Sequence, residues 1–167
     1  MRGWARAQLG EFEKGIAEIQ QGLEKERATG AQLFDSYSLG LLADACMKNE
    51  CYEQALEFLR PAQLRLEESS TERFYAAEIY RLLGEASRRS DKSLDQAEHY
   101  FSRGLKVARE QKSRSLELRL CLSMCDLYDQ KREPEKCRLQ LAGIYGFFGE
   151  GLDTADLVRA RARLENA

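Results

Sequence analysis

Four times along the chain, an aromatic or apolar residue is followed three positions later by a small one, then four on by a large apolar one, then three on by a usually small one. The copies are Phe12, Gly15, Ile19, Gly22; Tyr52, Ala55, Leu59, Ala62; Leu94, Ala97, Phe101, Gly104; and Pro134, Cys137, Leu141, Ile144. Measured on the second residue, the steps are 40, 42 and 40. Offsets of three and four put side chains on one face of an α-helix, so each copy predicts a helix. Its small residue marks where another backbone must come close. A second helix precedes each copy, with small slots of its own in Leu42-Ala43-Asp44-Ala45, Leu83-Gly84-Glu85-Ala86 and Met124-Cys125-Asp126-Leu127. Each pair, helix A then helix B, is expected to fold as an antiparallel hairpin.

Breaks in the pattern fall where such hairpins need turns. Thr29-Gly30 closes the first B helix, and Ser69-Ser70-Thr71 offers a capping hydroxyl to the third A helix. Ser90-Asp91-Lys92-Ser93 holds the residues that lengthen one step to 42. Pro134 suits the first turn of a helix, where a missing N–H costs little. Pro61 interrupts Leu59 to Leu66 and predicts a kink, or a helix that ends and restarts, at about 3 kcal/mol. No period-two alternation or Asn-Gly turn suggests a strand. The expectation is one all-α domain, 1–167, with pairs at about 1–28, 31–68, 71–111 and 114–148 and a capping helix at about 154–165. The first A helix is cut to roughly two turns, as in a remnant or a piece of a longer protein, which leaves its core face partly uncovered.

Composition narrows the function. The 26 Lys and Arg balance 28 Asp and Glu for a net charge of −2, which gives no field to gather nucleic acid or an anionic membrane. The longest uncharged run, Leu139 to Gly149, is 11 residues, short of the roughly 17 to 25 a membrane helix needs. The start shows no secretory signal pattern, so a cytoplasmic setting is expected. Five cysteines without a CxxC pair then read as small apolar thiols.

Paired helices with small residues in these slots, and an aromatic opening helix B, resemble the tetratricopeptide repeat. That resemblance implies a right-handed α-solenoid. A narrower one rests on Gly3-Trp4-Ala5, Thr29-Gly30-Ala31, Arg73-Phe74-Tyr75 through Glu78 to Arg81-Leu82-Leu83-Gly84-Glu85, Ser115-Leu116-Glu117-Leu118-Arg119, and Tyr145-Gly146-Phe147-Phe148 with Glu150-Gly151-Leu152-Asp153-Thr154-Ala155-Asp156-Leu157. These segments look like the C-terminal helical repeats of bacterial regulators that join an adenylate or guanylate cyclase domain to an AAA-type ATPase. The resemblance implies a sensory or regulatory role. Neither a cyclase carboxylate pair nor a GxxxxGK[ST] phosphate loop is present, so neither activity is expected here.

Candidate chemistry is thin, and no catalytic residue, cofactor or metal is expected. His99 is the sole histidine and reads as a surface or half-buried structural side chain, with no second histidine for a relay or a zinc site. Cys121 and Cys125 share a helical face, and Cys125 should meet Cys137 through the paired slots of the last hairpin. Core packing is preferred there to a soft-metal site or a disulfide. Cys46 and Cys51 flank a turn and are read as free. Tyr145, Phe147 and Phe148 are read as a plug beneath the capping helix, whose Arg159, Arg161 and Arg163 should solvate the end of the array.

The most informative feature lies on the A helices, which line the concave groove of such a solenoid. Asp44, Glu85 and Asp126 follow the small slots at steps of 41 and 41 and should form a row of carboxylates, with Arg81 and Arg88 one turn either side of Glu85. The row would favour a peptide carrying basic residues, each exposed pair contributing under about 1 kcal/mol, or it is simply a solvated face. The chaperone-tail clamp of some tetratricopeptide proteins needs Lys, Asn and Arg at such places, which argues against that role. The reading is a non-catalytic module that binds a protein or peptide partner. The alternative is a structural module that self-associates, with a homodimer possible through its uncovered first face.

Overall fold

The structure is a computed structural model that describes residues 2–30, 34–68, 73–90 and 93–165. Among these, every regular element is helical. They are α1 (Arg2–Gln8), α2 (Phe12–Ala28), α3 (Asp35–Lys48), α4 (Tyr52–Glu68), a 3-10 turn (Arg73–Tyr75), α5 (Ala76–Ser90), α6 (Leu94–Glu110), α7 (Arg114–Gln130), α8 (Glu135–Tyr145) and α9 (Ala155–Glu165). Odd-numbered helices are the A members and even-numbered ones the B members, with α9 as the cap. Each A helix packs on its own B helix and on the next A helix, and each B helix also packs on the next A helix. This makes the expected right-handed α-solenoid.

The repeated small residues hold equivalent places. Gly15, Ala55 and Ala97 are the fourth residues of α2, α4 and α6, Cys137 is the third of α8, and all four are buried. A Cβ on Gly15 would stand 2.6 Å from the carbonyl oxygen of Gly3 and 2.9 Å from the amide of Ala7, so α1 and α2 touch backbone to backbone. At Gly84 an added Cβ would lie 2.3 Å from the ring of Phe101, the largest fully buried side chain. Three of the A helices, α1, α3 and α7, also end alike. Gly10, Glu50 and Arg132 take positive φ values of 89°, 58° and 60°. The next amide then reaches back five residues, from Glu11 to Arg6 (3.0 Å), Cys51 to Cys46 (2.9 Å) and Glu133 to Tyr128 (2.8 Å). This is the Schellman turn, which satisfies carbonyls left open at a helix end.

Three local expectations need correction or comment. Gly22 is not a core slot: it is exposed, nothing would meet its Cβ within 4 Å, and Leu23 carries the stripe inward instead. Pro61 neither ends nor restarts its helix, since α4 runs unbroken from Tyr52 to Glu68. The ring sits on the exposed side while Leu59, Ala62 and Leu66 are buried, so packing on either flank offsets the lost hydrogen bond. Pro134 directly precedes α8 with helical angles, φ −60° and ψ −29°. The capping segment Ser69-Ser70-Thr71, with Ala31, Asp91 and Lys92, lies outside the described residues.

The glycines predict opposite signs for one chemical change. Gly22→Ala should raise unfolding free energy by about 1 kcal/mol, as for any open helix interior. Gly84→Ala should lower it by roughly 1 to 3 kcal/mol, because the Phe101 ring must move. Pro61→Ala should stabilise by up to about 3 kcal/mol. Urea unfolding of the three variants checks all of these.

Candidate functional site

The A helices form one continuous row, α1 to α3 to α5 to α7 to α9, and the residues singled out in the sequence lie along it. Asp44 stands on α3, Arg81, Glu85 and Arg88 on α5, and Asp126 on α7. Each of the three carboxylates in the row is already engaged. Asp44 accepts hydrogen bonds from Trp4 Nε1 (2.8 Å) and Gln8 Nε2 (3.1 Å), both neutral donors on α1. Glu85, 6% exposed, accepts one from Arg88 at 2.7 Å and faces Arg89 at 3.7 Å. Asp126 faces Arg88 at 4.0 Å, and Arg159 at 2.5 Å and Arg163 reach it from α9.

A carboxylate missed in the sequence sits at the centre. Glu78, 3% exposed, accepts two hydrogen bonds from Arg81, at 2.9 and 2.8 Å, and Arg119 of α7 stands 3.0 Å away. Arg119 also faces Asp156 of α9 at 3.7 Å. Burial alone would push the Glu78 carboxyl up, but Arg81 and Arg119 outweigh it and hold it below the usual carboxylate range. The signal was present: Glu78-x-x-Arg81 and Glu85-x-x-Arg88 repeat seven residues apart, which places both pairs on one face of α5. Arg88 is itself buried, and its Nε has no hydrogen-bond partner among the described residues.

Similar anchors sit at the joints between units. Asp35, fully buried at the start of α3, is held by Arg27 of α2 at 3.0 Å and Arg65 of α4 at 2.8 Å. Glu117 of α7 is held by Arg109 of α6 and by Arg114, each at 2.8 Å. Burial raises the Glu117 carboxyl, but the two arginines overcome it and leave the group below its ordinary value.

An aromatic cluster also went unread. Tyr37 and Tyr75 meet edge to face at 4.9 Å, and Phe34 and Phe74 at 6.0 Å, with Phe34 46% and Phe74 49% exposed. Burial pushes the Tyr75 phenol up, and the charges of Glu78 and Asp44 add to that. Phe34, Tyr37 and Leu41 line one wall of a cavity of about 620 Å³ that opens between α1, α2 and α3.

The other candidates resolve individually. His99 is exposed on α6, its ring 6.1 Å from that of Tyr100. Cys125 and Cys137 do meet, but as a disulfide, which corrects the preference for simple packing. Facing slots put their Cα atoms 5.4 Å apart, inside the range a disulfide spans. Cys46, Cys51 and Cys121 are free, and burial pushes the thiol of Cys46 up to about 12 and that of Cys121 up to about 11. No metal-holding group of His, Cys, Asp and Glu occurs among the described residues. Tyr145 and Phe148 are half-buried and pack on the core, whereas Phe147 is 62% exposed beneath Arg114. In the cap, Leu157 and Ala160 are buried, and Arg159 and Arg163 bind α7 where the sequence suggested solvation alone.

No family model and no curated protein matches the chain. Solved structures do. The TPR-like repeats described as those of a Podosopora anserina kinesin light chain superpose with a TM-score of 0.73, at 12% identity, covering 98% of this chain and 81% of that one. A point variant of the same repeats gives 0.74, again at 12% identity, over 98% and 80%. At that identity the likeness establishes the TPR-like fold. No described helix is long and apolar enough to cross a membrane.

Glu78 and Glu117 set the response to acid. Both ionise more readily folded than unfolded, so their stabilisation is complete above the ordinary value of 4.5 and is lost as pH falls through the lower folded values. The melting temperature should therefore hold down to about pH 4.5 and drop steeply below it. Glu78→Gln should cost about 3 kcal/mol at neutral pH, by leaving the half-buried Arg81 without its carboxylate, and should flatten the acid slope. Thermal melts across pH check both.

Proposed function

We propose that this chain is a non-catalytic interaction or sensory module of the cytoplasm that binds a protein or peptide partner along its row of A helices. One observation carries the reading. Tyr37, Leu41 and Asp44 follow one another at helical spacing on α3, so the cavity with its exposed aromatic neighbours lies on the same face as the ladder carboxylate whose hydrogen-bond donors are both neutral. Glu85 and Asp126 pair directly with guanidinium groups, whereas Asp44 feels that of Arg81 only at longer range, so Asp44 is where a cation gains most. The favoured ligand is a peptide that presents a basic residue beside a large apolar one, the apolar side chain entering between Phe34, Tyr37 and Leu41. Arg81, Arg88, Glu85 and Asp126 then set the polar floor of the groove. Balanced overall charge supports a protein partner over nucleic acid.

The resemblance to repeats of cyclase and ATPase regulators supports a place in a signalling protein, where occupancy of the groove would bias neighbouring domains. A second reading, self-association without a separate ligand, draws on the same exposed Phe34 and Phe74, which a second copy could cover as a homodimer.

Calorimetric titration with a synthetic peptide pairing lysine with leucine distinguishes the two. Asp44→Asn should weaken binding roughly fivefold and remove its salt dependence. Phe34→Ala, which removes a ring from the cavity wall, should weaken it at least roughly fivefold. Unchanged affinity in both variants overturns the groove reading. Sedimentation showing a dimer that Phe74→Asp dissociates would establish the second reading.

A further inference from the structure

Around the Cys125–Cys137 disulfide, α7, α8 and α9 leave a cavity of about 610 Å³ whose lining includes both cysteines. The disulfide thus borders open volume large enough for a small-molecule ligand. Leu141 and Leu164 give the cavity an apolar floor. Arg159 and Arg163 on its rim are already paired with Asp126 and Asp129, which leaves Arg138, in no ion pair among the described residues, as the guanidinium facing the cavity beside Glu135. We propose that this cavity is a thiol-exchange site, at which a small anionic thiol attacks Cys137 and opens the bond that staples the last hairpin. The inference is independent of the groove reading.

Geometry selects the sulfur. Cys137 sits near the start of α8 and is 4% exposed, whereas Cys125 is 1% exposed in the middle of α7. The incoming thiolate forms a sulfur–sulfur bond to Cys137 Sγ, the Cys125–Cys137 bond breaks, and its electron pair leaves on Cys125 as a thiolate. A second molecule of the thiol then attacks the mixed disulfide, freeing Cys137 and departing as the oxidised small molecule. Two thiols are oxidised and one disulfide is reduced. Cys121, one turn from Cys125, does not compete as nucleophile, because burial holds its thiol up at about 11. Opening the bond removes the covalent tie between α7 and α8. The cap α9 is then held by its apolar contacts and by the pairs from Arg159 and Arg163 to Asp126 and Asp129.

A reduced thiol can add only to an existing disulfide, so free Cys46, Cys51 and Cys121 give no background in a test without oxygen. Purified protein is treated with reduced glutathione, the released thiolate is trapped with iodoacetamide, and peptides are mapped by mass spectrometry. The expected product carries glutathione on Cys137 and carbamidomethyl on Cys125. At equal thiolate concentration, cationic cysteamine should react roughly threefold more slowly than glutathione, and Arg138→Glu should slow glutathione by a similar factor without moving the melting temperature. Five alkylatable thiols before any reductant, an adduct on Cys125, no adduct, or cysteamine reacting as fast as glutathione would each overturn the proposal.

Discussion

The whole array depends on how closely the two helices of each pair approach. Between Gly3 and Gly15 there is no room for even one methyl group, and the equivalent positions in later units hold only Ala55, Ala97 or Cys137. A larger side chain there would force the helices apart and open voids along their length, and close-packed interiors do not absorb such changes cheaply. Fixing this one contact per unit fixes the angle of the hairpin, and the hairpin presents the same surface to the next unit. Extra residues are therefore confined to turns. Phe101 shows the complementary device: its ring fills the space that Gly84 vacates, so volume removed from one helix is supplied by its partner.

Once packing is satisfied by small residues, the polar face of each A helix must be resolved by charge. A carboxylate as buried as Glu78 or Glu85 would cost several kcal/mol if left unpaired. The chain answers with arginines, first from the same helix at i+3 and then from the next A helix. What looks in one dimension like a ladder of like charges is in space a lattice of alternating sign, running from α5 through α7 to α9. Such a lattice fixes the register between units as well as the charge, since sliding one hairpin would strand several buried ions together. It also leaves little unbalanced field for a ligand to exploit, except at Asp44, whose donors Trp4 and Gln8 carry no charge.

The architecture was legible because it is written in local spacing. Offsets of three and four report the face of a single helix, and their recurrence at 15, 55, 97 and 137 needs no knowledge of the partner helix. Gly22 misled because the template was followed one step too far, where Leu23 already continues the stripe. At Pro61 a break did not follow, because a local rule counts the lost hydrogen bond and not the packing of Leu59, Ala62 and Leu66. The ion pairs were unreadable for another reason: Asp126 finds Arg159, and Trp4 finds Asp44, over 33 and 40 residues of chain. Slot pairing correctly brought Cys125 near Cys137, but spacing alone does not say whether two neighbouring sulfurs are bonded.

Charge and apolar surface are distributed unevenly along the array, and that bears on where a partner binds. At the C-terminal end, α9 buries Leu157 and Ala160 and commits Arg159 and Arg163 to Asp126 and Asp129, so apolar surface and charge are quenched together. Around α1 the balance is different. Beside it lie the cavity, the half-exposed rings of Phe34 and Phe74, and Asp44 with its neutral donors. Binding energy comes from desolvating apolar surface and from charges not already neutralised, and both resources concentrate around α1, α3 and the turn that leads into α5. Their neighbours, α5 to α9, are then best understood as the rigid frame that holds that surface in place, with the disulfide-linked hairpin as its far abutment.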